Sequence, residues 1–255
     1  MNPTPEELAR EARLAALARV HVVLCRPSHP GNIGAAARAM KTMGLNRLKL
    51  VAPRRFPHPE ASALAAGATD ILERAEVHAT LEEALQDCVL AAGLTRRTRE
   101  LAQPPLEARQ AAPELLALAH SQPVALVFGN ETFGLSNAEL SRCQRLVTLP
   151  ADPAYPSLNL AAAVQVMAYE LRLTGLGEAP LSAPPARVSL AEMAYFYRRL
   201  EETLIAIGFL NPAHPKRLMP RLRRLFDRCG LQKEELSILL GILKQAHPKG
   251  KGKVD

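Results

Sequence analysis

Between residues 20 and 150 the chain repeats one pattern: a short apolar run, a turn rich in Gly or Pro, then a helical stretch. The runs are His21–Cys25 (HVVLC), Arg47–Ala52 (RLKLVA), Ala75–His78, Cys88–Ala92 (CVLAA), Val124–Phe128 (VALVF) and Leu146–Leu149 (LVTL). Most are apolar throughout rather than alternating, as expected of strands buried on both faces. Helical patterns separate them over Ile33–Met43, Glu60–Ala66, Leu81–Gln86, Pro113–His120 and Ser136–Arg142, and Pro5–Ala18 precedes them. This alternation implies an α/β fold, a mostly parallel sheet with helices on both faces. Ligands collect at the carboxyl ends of such strands, so the loops leaving those ends define the candidate site.

Four of these loops combine Gly or Pro with polar groups. Arg26-Pro27-Ser28-His29-Pro30-Gly31-Asn32 comes after the first strand. Gly93-Leu94-Thr95-Arg96-Arg97-Thr98-Arg99 comes after the fourth, and Gly129-Asn130-Glu131-Thr132-Phe133-Gly134-Leu135 after the fifth. Pro150 to Asn159 comes after the last, where three prolines stiffen the turn. That turn leads into a helix expected to have Ser157 as N-cap, Leu160, Val164, Met167 and Leu171 on its inner face, and Gly175 as its stop. Free N–H groups and the helix dipole gather there. The stretch reads as a ligand site or as an ordinary capped loop. Glu131 can accept from a ligand amine or satisfy local N–H groups. Arg38 is the only charge in Ile33–Met40, a stretch otherwise Ala, Gly, Ile and Met, so burial is expected, with a phosphate, a carboxylate or a structural salt bridge as partner.

Several function classes drop out. Gly31-Asn32-Ile33-Gly34 is not a dinucleotide fingerprint, and the second strand ends in Pro53-Arg54-Arg55 without the required acid. No G-x-S-x-G elbow occurs. Cys25, Cys88, Cys143 and Cys229 are scattered, with no C-x-x-C pair and no His clustered beside them in sequence. Buried free thiols are expected, with neither zinc nor disulfides, and no metal is called for. No run of about 18 apolar residues exists, so no membrane span is expected. The N-terminus alternates acids and bases without a leader's apolar core, and a cytoplasmic protein is the expectation.

Charge divides the chain. From Val188 to Asp255 there are thirteen Lys/Arg against seven Asp/Glu, whereas the first 187 residues hold nineteen against eighteen. A basic C-terminal region beside a nearly neutral body suits an anionic partner such as nucleic acid, or is a solvated basic face. The expected organisation is a domain over 1–175 with an N-terminal helix, a Pro/Ala/Ser linker over 176–189, a basic helical extension over 190–247 and a disordered tail over 248–255. In the extension, Met193, Phe196, Tyr197, Leu200, Leu204 and Ile207 mark one helix face, and Leu218, Leu222, Leu225 and Phe226 the apolar side of the next.

The strand-end loops resemble, in order, three motifs of the SPOUT superfamily of RNA methyltransferases, in its SpoU/TrmH branch. Asn32-x-Gly34-x-x-x-Arg38 is similar to the first, Phe128-Gly129-Asn130-Glu131-x-x-Gly134-Leu135 to the second, and Leu149-Pro150 through Ser157-Leu158-Asn159-Leu160-Ala161 to the third. Residues 31–44 (GNIGAAARAMKTMG), residues 155–166 (YPSLNLAAAVQV), Phe196-Tyr197 and residues 221–226 (RLRRLF) further resemble the tRNA 2′-O-methyltransferases that act on the pyrimidine at anticodon-loop nucleotide 32. The resemblance spans roughly Val20 to Ala246. It implies a sheet whose C-terminal part is threaded into a trefoil knot, in a homodimer with sites at the subunit interface. S-adenosyl-L-methionine would bind bent in the knot against Leu94, Thr95, Arg96, Gly129, Leu149, Pro156, Ser157 and Leu158. This chain has Leu94 where relatives often have a small hydroxyl residue, so contacts there are expected through backbone. Arg38 would be the central catalytic residue, with Asn32, Glu131, Ser157 and Asn159 orienting the reacting groups. Asn130 falls at a position that varies in the branch. The RNA contacts expected are Arg97, Arg99, Arg221, Arg223 and Arg224, with tRNA as partner. A ribosomal RNA methyltransferase of the same branch and an inactive RNA-binding relative remain the alternatives.

Overall fold

A computed structural model describes residues 4–95, 104–177 and 184–247, and the chain divides into two compact units, Met1–Pro184 and Pro185–Asp255. The expected tail over 248–255, linker residues 178–183, and Arg96, Arg97 and Arg99 lie outside the described residues.

The first unit is built around β1 (Val20–Cys25), buried over its whole length. β1 pairs in parallel with β2 (Arg47–Val51) on one side and β6 (Val124–Phe128) on the other. β3 (Glu76–His78), β4 (Leu90–Leu94), β5 (Leu106–Glu107) and β7 (Arg145–Thr148) complete a seven-stranded sheet in the order β3-β2-β1-β6-β4-β7-β5. Each pairing is parallel. The two-residue edge strand β5 escapes sequence reading because no apolar run marks it. β4 begins two residues later than the apolar pattern suggests, so Gly93 lies inside the strand rather than after it.

Helices α1 (Pro5–Ala15), α2 (Pro30–Met43), α3 (Pro59–Ala65), α4 (Thr69–Glu73), α5 (Leu81–Leu85), α6 (Ala108–Ala119), α7 (Asn137–Leu140) and α8 (Leu160–Leu176) surround the sheet. Residues 16–19 tighten into a 3₁₀ turn, ending α1 earlier than expected. α2 starts three residues before its expected start, with Pro30 in its first turn, and stops at Gly44 in the left-handed region (φ 88°). A Cβ on Gly34 would land in the backbone of Ala61, so this glycine lets α2 and α3 touch. α6 starts at Ala108 rather than Pro113, because Glu107 and Gln110 form a capping box ahead of it. Pro113 therefore stands inside the helix.

Two expectations about α8 are corrected. Its N-cap is Asn159, whose Oδ1 accepts from Ala161 N at 2.8 Å, and Ser157 stands outside the helix. The helix also runs through Gly175, and Gly177 caps it. Gly175 is buried, and a Cβ there would lie 3.2 Å from the Leu14 side chain. Leu160, Val164, Met167 and Leu171 are buried as expected.

The second unit packs α9 (Leu190–Ala206), α10 (Leu218–Cys229) and α11 (Lys233–Ala246) around Met193, Phe196, Tyr197 and Leu200. Leu218, Leu222 and Phe226 join this core partly buried, but Leu225 and Ile207 are exposed, contrary to expectation. The guanidinium of Arg223 lies 4.3 Å from the Tyr197 ring centroid, and the Tyr197 hydroxyl donates to Asp227 at 2.6 Å.

All four cysteines are free, but only Cys25 and Cys88 are buried; Cys143 is half-buried and Cys229 exposed. Folding also brings His21 Nδ1 to 3.6 Å from Cys88 Sγ, a neighbour that sequence spacing does not reveal. The buried Lys49 ammonium sits beside them, 2.7 Å from Asp87.

Candidate functional site

The loops after β1, β6 and β7 meet through hydrogen bonds at the carboxyl edge of the sheet. Glu131 is the hub. Its carboxylate accepts from Ser28 N at 3.0 Å, Ser28 Oγ at 2.7 Å, His29 N at 3.3 Å and Asn32 Nδ2 at 3.0 Å. Burial opposes the charge, but the hydrogen bonds from Asn32 and Ser28 outweigh it and hold the carboxyl at about 2. A carboxylate so saturated and so acidic fixes a loop and does not collect protons near neutral pH.

Asn32 passes the constraint on. Its Oδ1 accepts from Asn159 Nδ2 at 3.0 Å, so one chain of hydrogen bonds joins Ser28, Glu131, Asn32 and Asn159. Three of the five residues expected at the reaction centre, Asn32, Glu131 and Asn159, are thus in direct contact. Ser157 is exposed two residues from Asn159 and makes no side-chain hydrogen bond in the described structure.

Arg38 corrects the expectation of burial. Ile33, Ala36, Ala37, Ala39 and Met40 form the buried side of α2, whereas Arg38 lies on its solvent stripe. It has no ion pair or hydrogen bond among the described residues, so the structural salt bridge does not form. Six residues separate it from Asn32, about 9 Å along the helix axis.

A cavity opens beside the Glu131 hub. Its walls include Leu94, Thr95, Gly129, Leu149, Pro156, Ser157 and Leu158, seven of the eight residues expected to hold a cofactor; the eighth, Arg96, is outside the described residues. Phe128, Val147, Leu160 and Ala163 add apolar surface, and Asn130 and Thr132 polar surface. Gly129 is required here: a Cβ would occupy the backbone of Gly134 and Leu135. The cavity is apolar on its sheet side and polar at the 129–134 turn, which suits a ligand with a flat apolar ring and a charged end.

Two residues escaped the sequence reading. Ser28 donates twice to Glu131, and its position in a Pro-flanked strand-end loop was the available signal. Asn130, at a position expected to vary, ties two loops: Nδ2 donates to Arg26 O at 2.8 Å and Oδ1 accepts from Thr132 N at 2.9 Å. Of the expected RNA contacts, Arg221 and Arg224 are exposed on α10, while Arg223 is packed on Tyr197.

Residues 19–169 match the SpoU rRNA Methylase family, and residues 191–254 match the family described as "tRNA methyltransferase TrmJ, C-terminal domain". The chain is 48% identical over 248 residues to the tRNA (cytidine/uridine/adenosine-2'-O-)-methyltransferase TrmJ of Pseudomonas aeruginosa, covering 92% of this chain and 96% of that protein. It is 44% identical to the tRNA (cytidine/uridine-2'-O-)-methyltransferase TrmJ of Klebsiella pneumoniae, over 93% of this chain and all of that one. The crystal structure of TrmJ from Z. mobilis superposes with a TM-score of 0.77 at 32% identity, covering 89% of this chain and 99% of that one. The match to both units, together with the Asn32–Glu131–Asn159 hub at the strand ends, shows that this chain belongs to the SpoU methylase family, alongside the TrmJ proteins.

Proposed function

We propose that this protein is an S-adenosyl-L-methionine-dependent tRNA 2′-O-ribose methyltransferase acting on the pyrimidine at nucleotide 32 of the anticodon loop. The hydrogen-bonded Ser28–Glu131–Asn32–Asn159 chain beside a half-apolar cavity is the observation that supports it most, and the TrmJ relatives, named as tRNA 2′-O-methyltransferases, agree with the reaction and the substrate class. The cavity fits the cofactor in chemical character: Leu94, Leu149 and Leu158 suit the adenine ring, and Thr95 and Ser157 suit the amino-acid end. When bound, the cofactor supplies an electrophilic methyl group on a sulfonium.

The chain's own residues position the attacking hydroxyl. Asn32, held by Glu131, and Asn159, held by Asn32, orient the ribose, and Ser157 stands exposed beside them at the cavity wall. Arg38, unpaired and exposed, grips the target phosphate with its planar fork. Arginine keeps its proton, so its role is positioning and charge stabilisation.

The finer architecture belongs to the same proposal. β6 enters between β1 and β4, and β7 between β4 and β5, an order that supports a knotted C-terminal segment over the first unit. The exposed apolar stripe Val166, Tyr169 and Leu173 on α8 supports a homodimer. The domain roles accord with this: residues 1–175 methylate, and the basic unit over 190–247 holds tRNA through Arg221 and Arg224, with Arg97 and Arg99 as further phosphate contacts. The reaction takes place in the cytoplasm and uses no metal.

Methyl transfer from labelled cofactor to unmodified tRNA, followed by nuclease mapping, tests the reading. A labelled 2′-O-methyl pyrimidine in the anticodon loop is expected. Label only in ribosomal RNA refutes the substrate, and cofactor binding without transfer to any RNA refutes the enzyme.

A further inference from the structure

The loop that supplies Glu131 also displays a phenylalanine to solvent. Phe133 is 76% exposed, whereas Phe128 at the start of the same loop is buried. Single exposed apolar side chains are ordinary, but an aromatic face left open on the wall of a ligand cavity is available for stacking. Its presentation is fixed by the backbone. Gly134 N donates to Asn130 O at 2.8 Å and closes the turn, Asn130 ties it to Arg26, and Gly134 takes the left-handed conformation at φ 68°. Leu135 anchors the far end in the core, and Gly129 lies against the Gly134–Leu135 backbone. The ring is therefore held on a rigid turn and not on a mobile loop. It lines the cavity, two residues from the Glu131 hub.

We propose that Phe133 is the stacking platform for the base of the nucleotide being methylated. The proposal rests on the ribose-methylation reading. A ribose whose 2′-hydroxyl reaches the cavity mouth brings its own base within a few ångströms of that mouth. A loop nucleotide offers an unstacked base, and every base has a π-face. An aromatic platform therefore selects for an unpaired nucleotide and tolerates its identity. Cytidine and uridine would be accepted alike, with discrimination left to polar groups elsewhere.

The test compares wild-type protein, Phe133→Leu and Phe133→Tyr on unmodified tRNA and on the same tRNA lacking the base at the methylated nucleotide. Leucine keeps apolar bulk and removes the π-face; tyrosine keeps both. Base–aromatic stacking predicts that Phe133→Leu lowers kcat/KM for tRNA roughly 5- to 150-fold, and that Phe133→Tyr stays within about threefold. On the abasic tRNA the Phe133→Leu penalty should vanish, because the stacking partner is already gone. A penalty that persists on abasic RNA, a Phe133→Leu protein as active as wild type, or a lost dimer in sedimentation would overturn the proposal. A wild-type protein that methylates no RNA would overturn the ribose-methylation reading and this proposal with it.

Discussion

Glu131→Gln is a nearly isosteric change that reverses the hydrogen-bonding sense of one carboxylate atom. In the native hub that carboxylate accepts from four donor groups on Ser28, His29 and Asn32. A glutamine amide placed there points its own hydrogens at N–H donors. Lowering a Glu from its ordinary value near 4.3 to about 2 corresponds to about 3 kcal/mol without screening. Glu131 is partly exposed, and solvent screening reduces this to about 1–2 kcal/mol. Loss of one charge-assisted hydrogen bond gives a similar size, about 1.5–3 kcal/mol. The variant should melt about 2–8 °C below wild type at pH 7. The sign of the pH dependence comes from the depressed folded-state value. The stabilisation is complete above the unfolded value near 4.3 and disappears as pH falls through it toward about 2. The gap between the melting curves should therefore hold from pH 7 to about pH 5 and narrow from there as pH falls toward about 2. Equal melting at pH 7, or a gap that stays constant on acidification, would refute the hub as a source of stability.

Asn159→Ala should cost about 1 kcal/mol by removing the α8 cap, while Ser157→Ala leaves thermal stability within about 0.5 kcal/mol, as read by calorimetry. Gly129→Ala should displace the 129–135 turn, and titration calorimetry should show cofactor affinity falling at least tenfold (about 1.4 kcal/mol). Arg38→Ala should reduce turnover by about 100-fold or more with unchanged melting temperature and cofactor affinity, because the side chain is exposed and unpaired; near-normal turnover rejects its role. Replacing Arg221 and Arg224 together with Ala should weaken tRNA binding and lower the salt dependence of log Kd by about two; an unchanged slope removes α10 from the RNA interface.

The sheet was legible because its central strands are continuous apolar runs, and the candidate site was legible because each motif sits where such a strand stops. Helix ends were read less well. Ser157 and Asn159 are both good caps, and only the amide of Asn159 reaches the free N–H groups of α8. Gly175 looked like a stop, yet close packing on Leu14 needs a glycine within the helix. Arg38 is exposed, against expectation, because a helix of small residues can still have a solvent stripe. The same limit hid the contact between Glu131 and Ser28, more than a hundred residues apart, which local periodicity cannot encode.

The strand order bears on how the protein is made. Val20 finds its partner Val124 more than a hundred positions later, and the cavity wall is complete only when Ala163 is in place. A nascent chain holding only β1 to β4 has the sheet's first members but no gap-filling β6 and no cavity. Such distant pairings are slow to close. At about 5–20 residues per second, the stretch from Val124 to Ala163 emerges over roughly 2–8 seconds, beginning with β6, which joins β1 to β4, and the cavity wall stays incomplete until its end. A ligand of this cavity binds only the finished sheet and stabilises it by mass action. Cofactor supply during synthesis would then govern how much of the chain survives to its native state, apart from any effect on turnover.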